Sequence, residues 1–319
     1  MMRKLLALIL ILVSIPLFFY VKASKMPNVF LIIPRGDGFR ELRNSVYNAV
    51  YLFKKECFRQ NFNLVLDEVD DVATIFSAIK KLKPVVIISV LHKPKLVEFL
   101  EKWGEPPVPL INIFPYYKHP DVLNMSVSLS DQTKYLVEFL KARRIESVKI
   151  ILGKSHIDKA AYRYISEAFK EAGINLGGGE FIIIVKTSPI EASDDIERLS
   201  GISMESSSLI FSVNTEEYYF LFGKSMMKFF GVFPMYMPTK RGKEFVRLYK
   251  EVFGGLPDWT VVSTYDSLTF VSSHLLGDKL EIPKEYEGVG GIYGFSMEER
   301  LFEIKRFEEV FGGDPYAKF

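Results

Sequence analysis

The chain has 319 residues, with 41 lysines and arginines against 39 aspartates and glutamates and a formal charge of +2. So even a balance excludes the basic surplus that a nucleic-acid partner calls for. With a single cysteine, Cys57, it forms no intramolecular disulfide, and at this size it needs none to bury a core; Cys57 reads as a small buried hydrophobe.

Residues 1–23 read as a targeting segment. Arg3 and Lys4 precede an apolar run from Leu5 to Phe19, and Val21-Lys22-Ala23 sets small residues where a signal peptidase cuts. The run is long for a signal and short for a span, and Pro16 interrupts it. A cleaved signal peptide and an uncleaved N-terminal anchor therefore both stay open. Either way the body is expected outside the cytoplasm, periplasmic or extracytoplasmic. Arg3, Lys4 and Lys22 meet no acid before Ala23, so the remainder carries −1. Its length is two domains' worth.

Strand and helix then alternate. Val29 to Ile33 is a continuous apolar strand suited to burial on both faces, and Leu42, Val46, Ala49, Val50 and Phe53 follow at helical spacing. Asn63 to Glu68, Val85 to Val90 and Val108 to Phe114 are the next strands; Val72 to Leu82 and Lys95 to Trp103 are the helices between them. Asn124 to Ser130 is the expected crossing to a second sheet. There Asp131 is placed to cap a helix carrying Tyr135, Leu136, Phe139 and Leu140. Strand Val148–Leu152, helix Asp158–Ala172 closed by Gly173, and strands Phe181–Val185 and Leu209–Val213 come next, then helix Glu216–Phe230 and strand Val232–Met237. Alternation of this kind builds parallel sheets covered by helices, and two such domains in tandem enclose a cleft at the strands' carboxyl ends.

The chemistry-bearing motifs are few. Gly153-Lys154-Ser155 lies between strand and helix but lacks the earlier glycine of a phosphate loop, since Val148 stands there. Its backbone N–H groups could still meet an anion such as a carboxylate at the helix start. Gly177-Gly178-Gly179 reads as a turn. His92, His119, His156 and His274 show no metal-ligand spacing; His92 and His156 follow strand ends where cleft loops belong, and His274 reads as structural. Asp70-Asp71 and Asp194-Asp195 sit beside helix starts, where aspartate caps. No nucleophile–base pairing is evident, so no enzyme and no cofactor are expected.

Three late motifs carry a family resemblance. Phe245, Tyr249, Phe253-Gly254 and Pro257 end one helix; Tyr265-Asp266-Ser267 is expected to open another; Gly288-Val289-Gly290-Gly291 leads into an aromatic strand at Phe295. With Pro34-Arg35-Gly36-Asp37-Gly38 and Asn48-Ala49 near the start, the chain from about Val29 to Phe311 resembles the type I periplasmic solute-binding proteins, the leucine and branched-chain amino-acid-binding group. The resemblance implies two Rossmann-like lobes joined by a hinge. Residues 24–129 plus 252–286 would form the first lobe and 130–251 plus 287–319 the second. It also implies hinge closure on a small ligand, an amino acid, amide or small carboxylate, for a membrane ABC transporter or another envelope protein.

Ligand contacts carried over from the resemblance fall on Arg35, Leu91, His92, Asn112, Phe114, Tyr116 and Tyr265 in the first lobe, and on Ser155, His156, Asn214 and Glu216 in the second. Leu91 and His92 stand where the family has a carboxylate-binding hydroxyl. A strand and helix that carry the family's amino-binding acid are missing after the Glu216 helix. A zwitterion in such a cavity would leave charges unpaired, at a few kcal/mol per group. A ligand-free interaction module on the same fold, like the activators of cell-wall synthases, is the alternative that this gap motivates.

Overall fold

The computed structural model describes residues 26–36, 39–56, 60–104, 107–114, 119, 122–125, 129–179, 181–201, 208–212, 215–234, 240–255, 257–294 and 302–311. The targeting segment at 1–23 and Cys57 lie outside them. Among the described residues no helix is long and apolar enough to cross a membrane.

β1 (Asn28–Pro34) runs through the middle of the first sheet, and Val29 to Ile33 have no exposed surface at all. It pairs in parallel with β2 (Asn63–Val69) and β3 (Val86–Ser89), and β4 (Leu110–Asn112) and β5 (Leu123–Asn124) complete the order β2-β1-β3-β4-β5. Side chains alternate across a strand. Val29, Leu31 and Ile33 therefore join Val46, Ala49 and Phe53 of α1 (Arg40–Glu56), while Phe30 and Ile32 join α2 (Val72–Leu82) and α3 (Lys93–Trp103). Each such buried aliphatic or aromatic side chain contributes about 1.5–3 kcal/mol.

The second lobe repeats the plan. α4 (Leu129–Ala142) opens two residues before Asp131, which sits in its first turn instead of capping it. β6 (Ser147–Leu152), α5 (His156–Ala172), β7 (Asn175–Leu176), β8 (Phe181–Val185), α6 (Ser193–Ser200) and β9 (Ser208–Ile210) follow. Asp194 and Asp195 lie in the first turn of α6, and Asp195 pairs with Lys186 and Arg198 rather than capping.

α7 (Thr215–Phe222) is shorter than the helix expected to reach Phe230. One 3-10 turn, Gly223–Met226, ends it, and β10 (Phe230–Pro234) starts at once. The apolar spacing of 218–230 suits a helix, but Phe230 and Gly231 are claimed by ladder pairing with Leu209 and Ile210 on one side and with Arg306 and Lys305 on the other. Sheet pairing overrides local periodicity here.

The chain then returns to the first lobe. α8 (Lys240–Phe253) sets the Tyr249 hydroxyl to accept from Asn48 Nδ2 at 3.0 Å and lays Phe245 on Tyr265, ring centroids 4.7 Å apart. α9 (Trp259–His274) packs along α1 and is buried on nearly every side. It opens six residues before the Tyr265-Asp266 step because Asp258 caps it. One carboxylate oxygen of Asp258 takes the Val261 N–H at 2.9 Å and the other takes the Ser45 hydroxyl. His274, near the end of α9, packs on Phe270 and Tyr286 as a structural residue.

Two hairpins follow, β11 (Leu275–Leu276) with β12 (Lys279–Leu280) and β13 (Glu285–Glu287) with β14 (Ile292–Gly294). β15 (Phe302–Arg306) then adds to β10 antiparallel and runs into α10 (Phe307–Phe311), giving the order β15-β10-β9-β8-β6-β7. The divisions expected at 251/252 and 286/287 thus fall inside α8 and inside β13. α8 contacts α1 through Tyr249 and α9 through Phe245, and Tyr286 of β13 packs on Phe270 of α9.

Candidate functional site

In each sheet the parallel strands end at one edge, and the loops beyond them form the candidate site. In the first lobe these loops follow β1, β2 and β3. A small pocket of about 30 Å³ opens there, room for a water molecule or two. Leu91 and Ile75 form its apolar floor, Phe39 and His92 its aromatic wall, and Arg35, Asp70 and Lys95 its charged rim. The His92 ring stacks on Phe39, centroids 5.1 Å apart at 26°, and meets Phe114 at 6.5 Å. Among the described residues His92 Nδ1 is buried without a hydrogen-bond partner. Burial, with the Lys95 cation adding to it, pushes His92 below the usual imidazole range, so it is neutral at neutral pH. The rim charges are loosely engaged: Arg35 stands 3.8 Å from Asp70 with both side chains exposed, and Lys95 holds Glu98 at 3.0 Å. Exposed pairs of this kind are worth little and yield to a better partner.

Of the first-lobe residues expected to touch ligand, Arg35, Leu91 and His92 come together at this pocket, with Phe114 beside His92. Asn112 does not project into it. Its amide donates to Asn124 Oδ1 at 3.1 Å and its carbonyl oxygen accepts the Phe114 N–H at 3.2 Å, so it brackets the loop between β4 and β5. Tyr116 lies outside the described residues.

In the second lobe the loops follow β6, β8 and β9. Ser155 caps α5: its hydroxyl accepts the Asp158 N–H and its own N–H donates to Asp158 Oδ2, both at 3.0 Å. The other oxygen of Asp158 takes the Thr187 N–H at 2.7 Å and the Thr187 hydroxyl at 2.6 Å. One buried carboxylate thereby ties the loop after β6 to the loop after β8. Gly153 makes room for it, since a Cβ there would stand 2.2 Å from Asp158 Oδ2. The Lys154 N–H, expected to be open to an anion, is held by Glu191 Oε1 at 3.0 Å. This loop is thus closed by the chain's own carboxylates. Thr215 starts α7 with its hydroxyl on Ser212 O at 2.7 Å. His156 and Glu216 open α5 and α7, but their side chains, and all of Asn214, lie outside what is described.

Tyr265 belongs elsewhere. Its hydroxyl donates to Glu56 Oε2 at 2.8 Å, at the end of α1 remote from the pocket, and burial raises its pKa so that it remains a donor. The neighbouring Asp266 explains why Tyr-Asp and the Gly-rich turn occur together. Its fully buried carboxylate accepts the Val289 and Gly290 N–H groups at 2.7 Å each and the Tyr293 hydroxyl at 2.8 Å. A Cβ on Gly288 would meet that carboxylate at 2.3 Å, so the close approach requires glycine. The two motifs form one structural clasp.

Phe39, Lys95, Asp158 and Thr187 were not among the expected site residues. Phe39 follows the Arg35–Gly38 loop directly, and Ser155-x-x-Asp158 is a capping box legible in the sequence. Nothing in the sequence marks Thr187. Among the described residues no three His, Cys, Asp or Glu side chains are placed to hold a metal ion.

In sequence the chain matches no protein-family model and no curated protein. In structure it is similar to a putative branched-chain amino acid ABC transporter protein from Rhodospirillum rubrum, at TM-score 0.65 and 12% identity over 88% of this chain and 95% of that one. It is similar also to a solute binding protein of an ABC transporter from Rhodopseudomonas palustris BisB5 in complex with 3,4-dihydroxybenzoic acid, at TM-score 0.63 and 16% identity over 83% and 87%. A third likeness is to a branched-chain amino acid transporter substrate binding protein from Streptococcus pneumoniae in complex with isoleucine, at TM-score 0.62 and 13% identity over 86% and 92%. The fold is that of the two-lobed type I periplasmic solute-binding proteins.

Proposed function

We propose that the chain is an extracytoplasmic solute-binding protein that traps a small carboxylate or amide between its lobes and delivers it to an ABC transporter. The observation that carries this reading is the pocket at the carboxyl edge of the first sheet. Its Phe39–His92 wall suits a flat or apolar group, and the buried, unpartnered His92 Nδ1 offers a hydrogen bond inside it. Arg35 and Lys95 at the rim suit an anionic end. Solute binding by proteins of this fold supports the reading at the level of class. The pocket alone is too small for an isoleucine or a benzoate, so the second lobe must supply the rest, as hinge closure does.

A panel of aromatic and aliphatic carboxylates, amides and branched-chain amino acids, screened by thermal unfolding, tests this. A ligand at a hundred times its Kd adds about 2.7 kcal/mol of stability, a clear rise in Tm. The rise is expected with a carboxylate or amide and is lost in His92→Ala. A rise that survives His92→Ala would place the ligand elsewhere.

One observation favours a second reading, a ligand-free interaction module of the cell envelope. Asn112, Ser155 and the Lys154 N–H are all satisfied within the chain. That reading expects no thermal shift with any member of the panel.

A further inference from the structure

We propose that the edge of the first lobe opposite the pocket is a docking surface for an anionic lipid bilayer. In each strand–helix unit the helix returns the chain to the strands' amino ends, so α1 and α2 both finish at this edge. They bring Lys54 and Lys55, and Lys80, Lys81 and Lys83. All five are exposed, and among the described residues none is in an ion pair. Cations at a helix end complement its dipole, which accounts for one lysine per helix more readily than for a row.

Hydrogen bonds fix what lies beside them. Asn28 Nδ2 donates to Leu82 O at 2.7 Å, and Asn63 donates through its N–H to Pro27 O at 2.8 Å and through Nδ2 to Met26 O at 3.2 Å. Asn61 Nδ2 reaches Leu275 O at 3.1 Å, which brings the β11–β12 hairpin to the same edge. Two apolar residues here are exposed, Met26 at 39% and Leu276 at 60%. Of the acids nearby, Glu56 is engaged by Tyr265, while Asp278, Glu281 and Glu285 in and beside the hairpin stand against Lys279 and Lys284, leaving the five lysines of α1 and α2 as the surplus.

In its uncleaved, anchored form the chain itself indicates the occupant. Leu5 to Phe19 is apolar, and only residues 20–25 separate it from Met26 at this edge. Even fully extended, so short a connection spans about 20 Å. A bilayer holding that run therefore lies close to this edge, where each lysine adds to the attraction of an anionic surface. Apolar tips beside basic residues suit the boundary between headgroups and acyl chains. Docked this way, the lobe turns its pocket away from the lipid.

The test uses the full chain reconstituted into vesicles of phosphatidylcholine alone or with a quarter phosphatidylglycerol. A fluorophore is attached at Leu276→Cys in a Cys57→Ser background, with brominated lipid as quencher. A second label at Ser188→Cys, in the second lobe's loop after β8, serves as the remote control. Quenching at position 276 is expected with phosphatidylglycerol, several-fold above that in phosphatidylcholine, and none at position 188. It should fall to the phosphatidylcholine level in 0.5 M salt (roughly a 4 Å screening length) and in the triple variant Lys80→Glu/Lys81→Glu/Lys83→Glu. Circular dichroism checks that the triple variant folds, as its exposed positions allow. Absence of quenching, or quenching indifferent to salt and to the lysines, overturns the proposal and leaves the solute-binding reading untouched.

Discussion

A carboxylate that accepts two backbone N–H groups and a phenol cannot be replaced by an amide without turning one donor against another. Asp266 is in that position, so Asp266→Asn should cost about 2–4 kcal/mol in urea unfolding, with the core otherwise unchanged. Tyr293→Phe removes a single donor and should cost about 1 kcal/mol. Burial pushes Asp266 from 3.8 up to about 6, against the pull of its three donors. The folded chain then binds this proton more tightly than the unfolded one. Asp266's contribution to stability is complete below about pH 4 and is lost as pH rises through 6. Unfolding measured from pH 4 to 7 should show that decline in the wild type and lack it in Asp266→Asn. The motif was legible in the sequence, but its role was not. Tyr265-Asp266 looks like a ligand step until the turn at 288–291, far along the chain, is seen to close on it. Only the fold brings those residues together.

At the scale of elements, the second lobe's loops depend on Asp158. Asp158→Ala should release the Ser155 and Thr187 amides to exchange faster with deuterium while amides of β1 and β3 keep their protection. The cost should be about 2–4 kcal/mol of stability. Equal loosening of both lobes would mean that the clasp does not act locally. Most elements were readable from periodicity: β1, α1, α2, β6, α5 and β8 fall within a few residues of expectation. The misreadings have a common cause. The helix expected to reach Phe230 stops at Phe222 because β9 and β15 claim Phe230 and Gly231. α9 opens early because Ser45, more than two hundred residues away, helps hold its cap at Asp258. Pairing partners distant in sequence set these ends, and a single chain read along its length does not display them. The candidate site was half legible for the same reason. Arg35, Leu91 and His92 sit at strand ends that hydrophobic runs reveal, whereas Asn112 and Ser155 had the right position but were taken by neighbours unseen in the sequence.

For the whole molecule, two largely parallel sheets each carry their strand-end loops at one edge, the arrangement of a two-lobed hinge-and-cleft fold. The first-lobe pocket supplies an aromatic wall and a neutral imidazole. The second-lobe loops are rigidly braced, with Glu191 on the Lys154 N–H. Under the proposed function a ligand's anionic end would rely on Arg35 and Lys95, or displace Glu191. Glu191→Gln should weaken that internal contact and tighten binding of a carboxylate several-fold by calorimetry, with little effect on an amide. The measurement that bears most directly on solute binding is native mass spectrometry of the protein taken from its own envelope fraction, before and after denaturation. A small molecule released in a one-to-one ratio from the wild type, and absent from His92→Ala, is the expected result. A bare polypeptide in both, carrying a larger envelope protein with it, would contradict the solute-binding reading and favour the interaction module.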